Sequence, residues 1–360
     1  MTVTPTSNLQ AAINGLGTTG GTILFSPGTY TLTAPLKLPS GNMAMLTLSG
    51  YGATIKLNSA APRFCDFNRT ADYQTFAYFT VEGFQIDAGN VATEDHVIGF
   101  AYINGQVLQR INAHDITVKD VTAYNIAHAN VAGAFRVGIS ISTYQRDRNE
   151  PTMNTIENIY VRNVKLEGGS AGFDVHGVDY SGSLPTAFGQ TNIQIDNVSF
   201  DGCSWDSGVR GVTWTGDGIL AGVGASCGRL YVNNCDFRGS GDNSIEVDGW
   251  DYALVTNCHS EDAFYVGYFM SNLGFPIHGI PGQQIIWRNC TSNNVALKTS
   301  NKAWCIGASS AANPVGALTL ESGVATNGGN TNAGMWQRYH SAVAVNSANC
   351  TWNGKPYVAQ

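Results

Sequence analysis

Five ionisable residues suited to acid–base catalysis fall in three short segments near the middle of the chain. They are Asp174 and His176 in GFDVHG, Asp217 in GDGI, and Glu246 and Asp248 in SIEVDG. In the first and last segments a Val separates the two ionisable residues, so a strand that buries the Val points both of them outward. Two crowded carboxyl groups can divide the roles of general acid and base, because crowding raises the pKa of one of them. The pattern predicts an acid–base site if the three segments lie side by side.

Aromatic and basic residues accompany these acids. Sugar rings pack their C–H faces on aromatic rings, and their hydroxyls need carboxylates and amides, so Trp beside Asp is the composition of a glycan groove. The candidates for substrate binding are Tyr180, Trp205, Trp214, Trp250 and Tyr252. Arg136 and Arg210 are candidates to neutralise a substrate carboxylate. Two simpler interpretations stay open: the acids can be ordinary surface residues, and each Trp can cap a hydrophobic corner.

The composition excludes several classes of protein. Charged residues make up 12% of the 360 residues, Gly occurs 42 times, and the net charge is −7. Low charge and abundant Gly favour strands and turns over helices, and we find no basic stripe that would indicate nucleic-acid binding. The sequence shows neither a secretory signal after Met1 nor an apolar stretch long enough to span a membrane. The positions of the eight Cys favour free thiols in a core.

A strand motif that recurs along most of the chain predicts the fold. RLYVNNCDF (229–237) alternates apolar and polar residues, turns at an Asn that tolerates the left-handed backbone, and then resumes the alternation. Its last inward residue before the turn has equivalents 23 to 43 residues apart, at Leu48, Val81, Val118, Val161, Ile195, Val232, Val255, Trp287 and Leu320. A repeat of this length with strand periodicity indicates a solenoid.

Each repeat also needs a return strand, and we predict return strands within residues 135–142, 172–177, 216–222, 244–249, 264–269, 304–309 and 342–347. Three strands per turn give an all-β, single-stranded parallel β-helix whose coils lie ~4.8 Å apart. Residues 1–45, with a short helix at 7–16, are the predicted N-terminal cap. Residues 46–360 are the β-helix, with its last coil or coils as the C-terminal cap. In this fold the Asn residues at the turn form a hydrogen-bonded ladder, and Cys235, Cys258 and Cys290 form a stack without metal.

With this architecture the chain resembles the right-handed parallel β-helices of the pectate-lyase-like superfamily. The opening segments NLQAAIN, GGTILFSPGTYTL and SGYGATIKL look like the start of a module shared by phage tailspikes and polysaccharide depolymerases. The resemblance implies a protein of the virion tail or the extracellular space that binds and cleaves a polysaccharide, commonly as a homotrimer. It also leaves open a receptor-binding or structural β-helix without catalysis.

Two local resemblances suggest different reactions. TGDGI (215–219) and GDNSI (241–245) look like the paired acidic motifs of polygalacturonase-type hydrolases, with Asp217 and Asp242 at the matching positions but Asn243 in place of a second Asp. GFDVHG resembles a motif of mannuronan epimerases and related lyases, where Asp174 and His176 match. The sequence favours an endo-hydrolase without a cofactor. The alternative is a lyase or uronan epimerase, for which His176 is the base and Ca²⁺ is a possible cofactor.

Overall fold

The computed structural model describes residues 1–38, 45–67, 75–91, 95–100, 112–127, 136–142, 155–169, 171–176, 189–201, 219–221, 227–240, 243–248, 250–263, 266–272, 284–295, 304–308, 317–326, 336–338 and 344–357. Helix α1 (Leu9–Gly15) lies near the N-terminus. Its N-cap is Asn8, whose side chain accepts a hydrogen bond from the Ala11 N–H, as is usual for this residue type. In the described part of the chain, no helix has the length and apolar character that a membrane crossing needs.

The N-terminal strands are β1 (Thr2–Val3), β2 (Gly21–Phe25), β3 (Gly28–Thr31), β4 (Leu36–Leu38), β5 (Leu46–Ser49), β6 (Ala53–Lys56), β7 (Cys65–Phe67), β8 (Thr75–Glu82), β9 (Gln85–Asp87) and β10 (Asp95–Phe100). The central strands are β11 (Asn112–Ile126), β12 (Arg136–Ser142), β13 (Thr155–Gly168), β14 (Ala171–His176), β15 (Gly189–Asp201), β16 (Ile219–Ala221), β17 (Cys227–Asn233), β18 (Asp236–Arg238), β19 (Ile245–Asp248) and β20 (Trp250–Thr256).

The C-terminal strands are β21 (His259–Glu261), β22 (Tyr268–Asn272), β23 (Gln284–Arg288), β24 (Thr291–Asn293), β25 (Trp304–Ala308), β26 (Ala317–Glu321), β27 (Val324–Thr326), β28 (Trp336–Arg338), β29 (Ala344–Ala348), β30 (Cys350–Trp352) and β31 (Lys355–Tyr357). Ten strands form one sheet, here called the return sheet: β4, β7, β10, β12, β14, β16, β19, β22, β25 and β28. The other 21 strands described form the anchor sheet, which bends at the turn residues.

Strand register confirms the right-handed parallel β-helix predicted from the repeat. All nine predicted anchor residues are paired in order along the anchor sheet, from Leu48 opposite Val81 to Trp287 opposite Leu320. Successive coils therefore hydrogen-bond through parallel strands, and every anchor residue is buried in the bore of the solenoid. Alternation then leaves the intervening residues on the outer surface.

One predicted return strand was wrong. The AVAVNS segment contributes β29 to the anchor sheet, where Val345 lies opposite Leu318, and the return strand of that coil is β28. The pattern misled because apolar and polar residues alternate with the same period in every strand of the coil, so alternation does not tell one sheet from the other.

The predicted Asn turn is present and adopts a left-handed backbone. Asn163, Asn197, Asn234, Asn257 and Asn289 have φ between 52° and 54°. Side-chain amides connect most of these coils: Asn163 donates to Asp120 at 2.8 Å, Asn197 to Asn163 at 2.9 Å and Asn234 to Asn197 at 3.3 Å. The ladder shifts at the shortest repeat, where Asn257 donates to Asn233 rather than to Asn234.

The amide ladders share one polarity. A second ladder runs from Asn289 through Asn257 and Asn233 to Asp196. A third runs from Asn192 through Asn158 to Asp115, and shorter ones run from Asn125 to Asp87 and from Asn294 to Asp262. In each, the amide donates to the preceding coil and an Asp accepts at the N-terminal end. A carboxylate can only accept, so it fixes the direction in which every amide above it donates.

The predicted Cys stack is also present. Cys235, Cys258 and Cys290 are free and buried in the bore, and each Sγ donates to a backbone carbonyl two residues earlier. Burial raises the pKa of the Cys258 thiol well above its usual value. These Cys therefore serve as apolar fillers of the bore.

Asp120 accepts the last hydrogen bond of the ladder formed by Asn234, Asn197 and Asn163, and its carboxylate should make stability depend on pH. Its carboxylate accepts from Asn163 and, at 2.7 Å, from the Tyr51 hydroxyl, and these two hydrogen bonds lower its pKa from the usual value of an Asp carboxyl. The same contact raises the pKa of Tyr51 to about 12. A lowered carboxyl pKa contributes stability to the fold at pH values above the unfolded-state pKa. This contribution is lost as the pH falls through the folded-state pKa.

We therefore expect Asp120→Asn to reduce the free energy of unfolding by up to about 1 kcal/mol at neutral pH. Asn keeps the left-handed backbone and still accepts a hydrogen bond, so only the charge is removed. Urea midpoints measured across pH should converge for the variant and the wild type at the acid end. In Tyr51→Phe, the reduction in the free energy of unfolding should instead persist up to the pH at which the Tyr51 hydroxyl of the wild type ionises. A difference that does not depend on pH would contradict the role of the carboxylate.

Candidate functional site

The return sheet brings the predicted acidic segments onto successive coils. Strand β14 pairs with β16, and β16 with β19, so that Asp174 lies opposite Leu220 and Leu220 lies opposite Glu246. Ile245 and Val247 are buried in the bore on either side of half-buried Glu246. Glu246 therefore belongs to the outer surface of the sheet, and Asp174 occupies the same column two strands away.

Four ionisable positions form a rectangle on this sheet. Asp174 and Glu246 are separated by two strand spacings, which is about 10 Å between backbones, and each has an ionisable residue two positions further along its strand, about 7 Å away. These further residues are His176, which lies opposite Ser142, and Asp248, which lies opposite Ser271. The register places all four residues in the return sheet, and their shared role in a site stays a prediction.

A buried amide holds the Glu246 carboxylate. Asn243 is 2% exposed, and its Nδ2 donates to Glu246 Oε2 at 2.8 Å. The start of this strand is further fixed by buried hydroxyls, since Ser244 Oγ lies 2.7 Å from Ser260 Oγ and donates to Ser240 Oγ at 3.3 Å. Sequence reasoning missed the role of Asn243, although an amide three residues before a Glu at the start of a strand was visible in GDNSIE.

The two sides of the rectangle differ in character. On the N-terminal side Asp174 follows Ser140 and Gly99 in the same column. On the C-terminal side Glu246 lies opposite Phe269, which is 9% exposed and forms an apolar cluster with Val266 that is separate from the bore. Small polar positions on one side and an apolar wall on the other suit a ligand with both hydroxyl groups and C–H faces.

The remaining predicted residues are placed as follows. Tyr252 and Trp250 belong to β20 in the anchor sheet, so the structure does not bring Tyr252 onto the surface that carries Glu246. Arg136 is the first residue of β12 in the return sheet, opposite Asp95. The other candidates lie outside the described residues: Asp217, Tyr180, Trp205, Trp214 and Arg210.

Two further features of the described residues bear on the site. They contain no group of three or more His, Cys, Asp or Glu side chains that could hold a metal ion. An open groove of about 260 Å³ follows the amide ladder that ends at Asp120. It is lined by Asn163, Asn197 and Asn234 with Lys165. It lies in the anchor sheet, and its amides are already used in ladder hydrogen bonds, so we regard it as part of the scaffold.

Comparisons with known proteins return remote similarity to solved β-helix structures. No protein-family model matches the chain, and no curated protein sequence matches it. The catalytic domain of a GH87 α-1,3-glucanase in complex with nigerose is 12% identical with a TM-score of 0.47, and the match covers 98% of this chain and 68% of that one. The ORF18 protein of Geobacillus virus E2 is 15% identical with a TM-score of 0.46, over 81% of this chain and 57% of that one. PfbA, a surface adhesin of Streptococcus pneumoniae, is 12% identical with a TM-score of 0.46, over 95% and 80%.

These similarities are too remote to assign an activity, and the chain spans 57% of the length of the viral protein. The fold rests on the chain's own register, in which parallel strands pair coil by coil through both sheets. On that register, the chain has the right-handed parallel β-helix fold.

Proposed function

We propose that the outer surface of the return sheet binds a polysaccharide and cleaves it by hydrolysis. The observation that carries the proposal is the rectangle of Asp174, His176, Glu246 and Asp248, in which Glu246 is oriented by buried Asn243. The hydrogen bond from a buried amide to a carboxylate on the outer surface supports a functional role for the orientation of that carboxylate.

In this mechanism one carboxylic acid protonates the leaving glycosidic oxygen and a second carboxylate activates water. Inverting hydrolases hold the two groups ~6.5–9.5 Å apart, whereas retaining ones hold them ~5–5.5 Å apart. The backbone separation of about 10 Å between Asp174 and Glu246 is closer to the inverting arrangement. We assign the acid and base roles to this pair, with Asp217 and Asp248 as further candidates and His176 as an orienting group.

The second candidate is elimination or epimerisation of a uronate, and the position of Asp174 and His176 two residues apart on β14 favours it. Here His176 removes the proton next to the substrate carboxylate, and a cation must neutralise that carboxylate. Arg136 begins the neighbouring strand and is the candidate within the described residues. These residues do not supply a donor set for Ca²⁺, so we derive no step through a metal.

The proposal extends to location and assembly. An extracellular or virion-tail setting would give such a site access to a cell-surface polysaccharide, and a homotrimer is the assembly that we propose for it. A receptor-binding β-helix without catalysis is the competing non-enzymatic function.

Product analysis tests the proposal directly. The protein is incubated with a panel of neutral and acidic polysaccharides, and both new reducing ends and the ultraviolet absorbance of unsaturated uronates are followed. Reducing ends alone are expected for hydrolysis. Both signals together would replace hydrolysis by elimination, and binding without either signal would establish the non-catalytic function.

A further inference from the structure

A second surface with the chemistry of a saccharide site lies on the outer side of the anchor sheet. We call it the tyrosine surface and define it as Arg229, Tyr231, Tyr252 and Leu254. Tyr231 and Tyr252 come from neighbouring strands β17 and β20, and both are half-buried. Their ring centroids are 5.9 Å apart with an interplanar angle of 52°. The two rings therefore form a shallow V rather than a stack.

Alternation with the core fixes the direction in which these residues point. Leu230, Val232, Ala253 and Val255 are fully buried in the bore, so the residues between and beside them face outward. Exposed amides flank the rings, because Gln194 lies opposite Tyr231 on one side and Gln284 lies opposite Tyr252 on the other.

Arg229 differs from five other basic residues of the anchor sheet, each of which pairs with an acid. These pairs are Lys119 with Glu82, Arg162 with Asp196, Lys165 with Glu167, Arg238 with Asp236 and Arg288 with Glu321. Arg229 is exposed and lies opposite Tyr252, and within the described residues it has no acidic partner. Its guanidinium is thus available for an external anion.

We propose that the tyrosine surface binds an acidic saccharide through one of its carboxylate groups, separately from the return-sheet site. An Arg guanidinium binds a carboxylate through two parallel hydrogen bonds. Tilted Tyr rings offer flat faces for the C–H side of a pyranose and hydroxyls for its rim, and the Gln amides complement its hydroxyls. The coil spacing of ~4.8 Å is close to the length of one pyranose ring, so neighbouring coils contact neighbouring sugars.

Binding measurements on the full chain test this proposal, with oligogalacturonates, oligomannuronates and hyaluronan fragments as acidic probes and malto-oligosaccharides as the neutral probe. We expect at least one acidic probe to bind and the neutral probe to bind at least about tenfold more weakly. Arg229→Gln and Tyr231→Ala should each weaken acidic binding about tenfold or more, since a lost charged hydrogen bond has roughly this effect. Circular dichroism checks that the variants are folded.

One control makes the outcome decisive. Arg288→Gln removes the same charge from the same sheet and should change binding less than about twofold. Binding to the tyrosine surface is judged by the difference between Arg229→Gln and Arg288→Gln, whereas cleavage is judged by product analysis, so failure of one proposal is separable from failure of the other. Equal losses for Arg229→Gln and Arg288→Gln, or no binding of any acidic probe, would overturn the proposal. A dimer in solution that Tyr231→Ala dissociates, without saccharide binding, would instead identify the occupant as a second copy of the chain.

Discussion

Glu246→Gln is expected to lower the rate of polysaccharide cleavage by about 100-fold to 10,000-fold, the range for loss of a positioned acid or base. Gln keeps the length of the side chain and an oxygen that can accept from Asn243, which donates at 2.8 Å in the wild type. The substitution thus removes the ionisable group while preserving its surroundings. Initial rates of reducing-end formation at saturating substrate measure the effect on turnover, and the Michaelis constant should change little.

The matched control for this variant is Glu157→Gln. Glu157 is an exposed acid on β13 in the anchor sheet, far from the rectangle in the topology, and its substitution alters the net charge equally. It should retain wild-type turnover. If Glu246→Gln cleaves the substrate as fast as Glu157→Gln does, Glu246 has no role in the chemistry, and the acid pair has to be sought elsewhere on the return sheet.

Trp287→Ala is expected to produce the largest loss of stability, about 3–5 kcal/mol of unfolding free energy. Trp287 is fully buried and packs at 5.6 Å from the Tyr268 ring. It fills space left by neighbouring small residues, because the inward column that holds Leu166, Phe200 and Phe237 continues as Ser260, Ser292 and Ala325. The Ser and Ala side chains of that column are too small to close the cavity that the substitution creates.

Ile286→Ala provides the comparison at the adjacent position of the same strand. Ile286 is half-buried on the outer surface, so its truncation should reduce stability by less than about 1.5 kcal/mol. Urea unfolding followed by circular dichroism gives both values, and hydrogen exchange shows whether opening begins at this coil. Similar losses for the two variants would mean that the coil collapses readily around the missing indole.

Much of the fold was predictable because the solenoid repeats one local rule. A buried residue, a left-handed Asn two positions later and a small apolar residue after it recur often enough to set the register of nine coils. The α-helix could be predicted from its Asn8 cap and apolar spacing. The sheet to which AVAVNS belongs could not be predicted, because it depends on which strand the segment pairs with and not on its own alternation.

The site was predictable only in part, for the same reason. Register follows from the repeat, so the columns of Asp174 and Glu246 could be predicted, as could their separation. The sheet to which Tyr252 belongs depends on how the chain passes from β19 to β20, and proximity in sequence misleadingly placed Tyr252 with the acids. The hydrogen bond from Asn243, and the lack of an acidic partner for Arg229 among the described residues, depend on side-chain contacts between segments, which the sequence does not encode locally.

The shared polarity of the amide ladders limits how a solenoid of this kind can grow. Because each ladder begins with Asp and every Asn above it donates to the preceding coil, a coil that carries Asn can be duplicated freely within a ladder. A duplicated Asp coil would instead place two carboxylates opposite each other, with no donor between them. A new Asn coil should therefore fit after an Asp coil but not before it, so that Asp marks the coil at which a ladder begins.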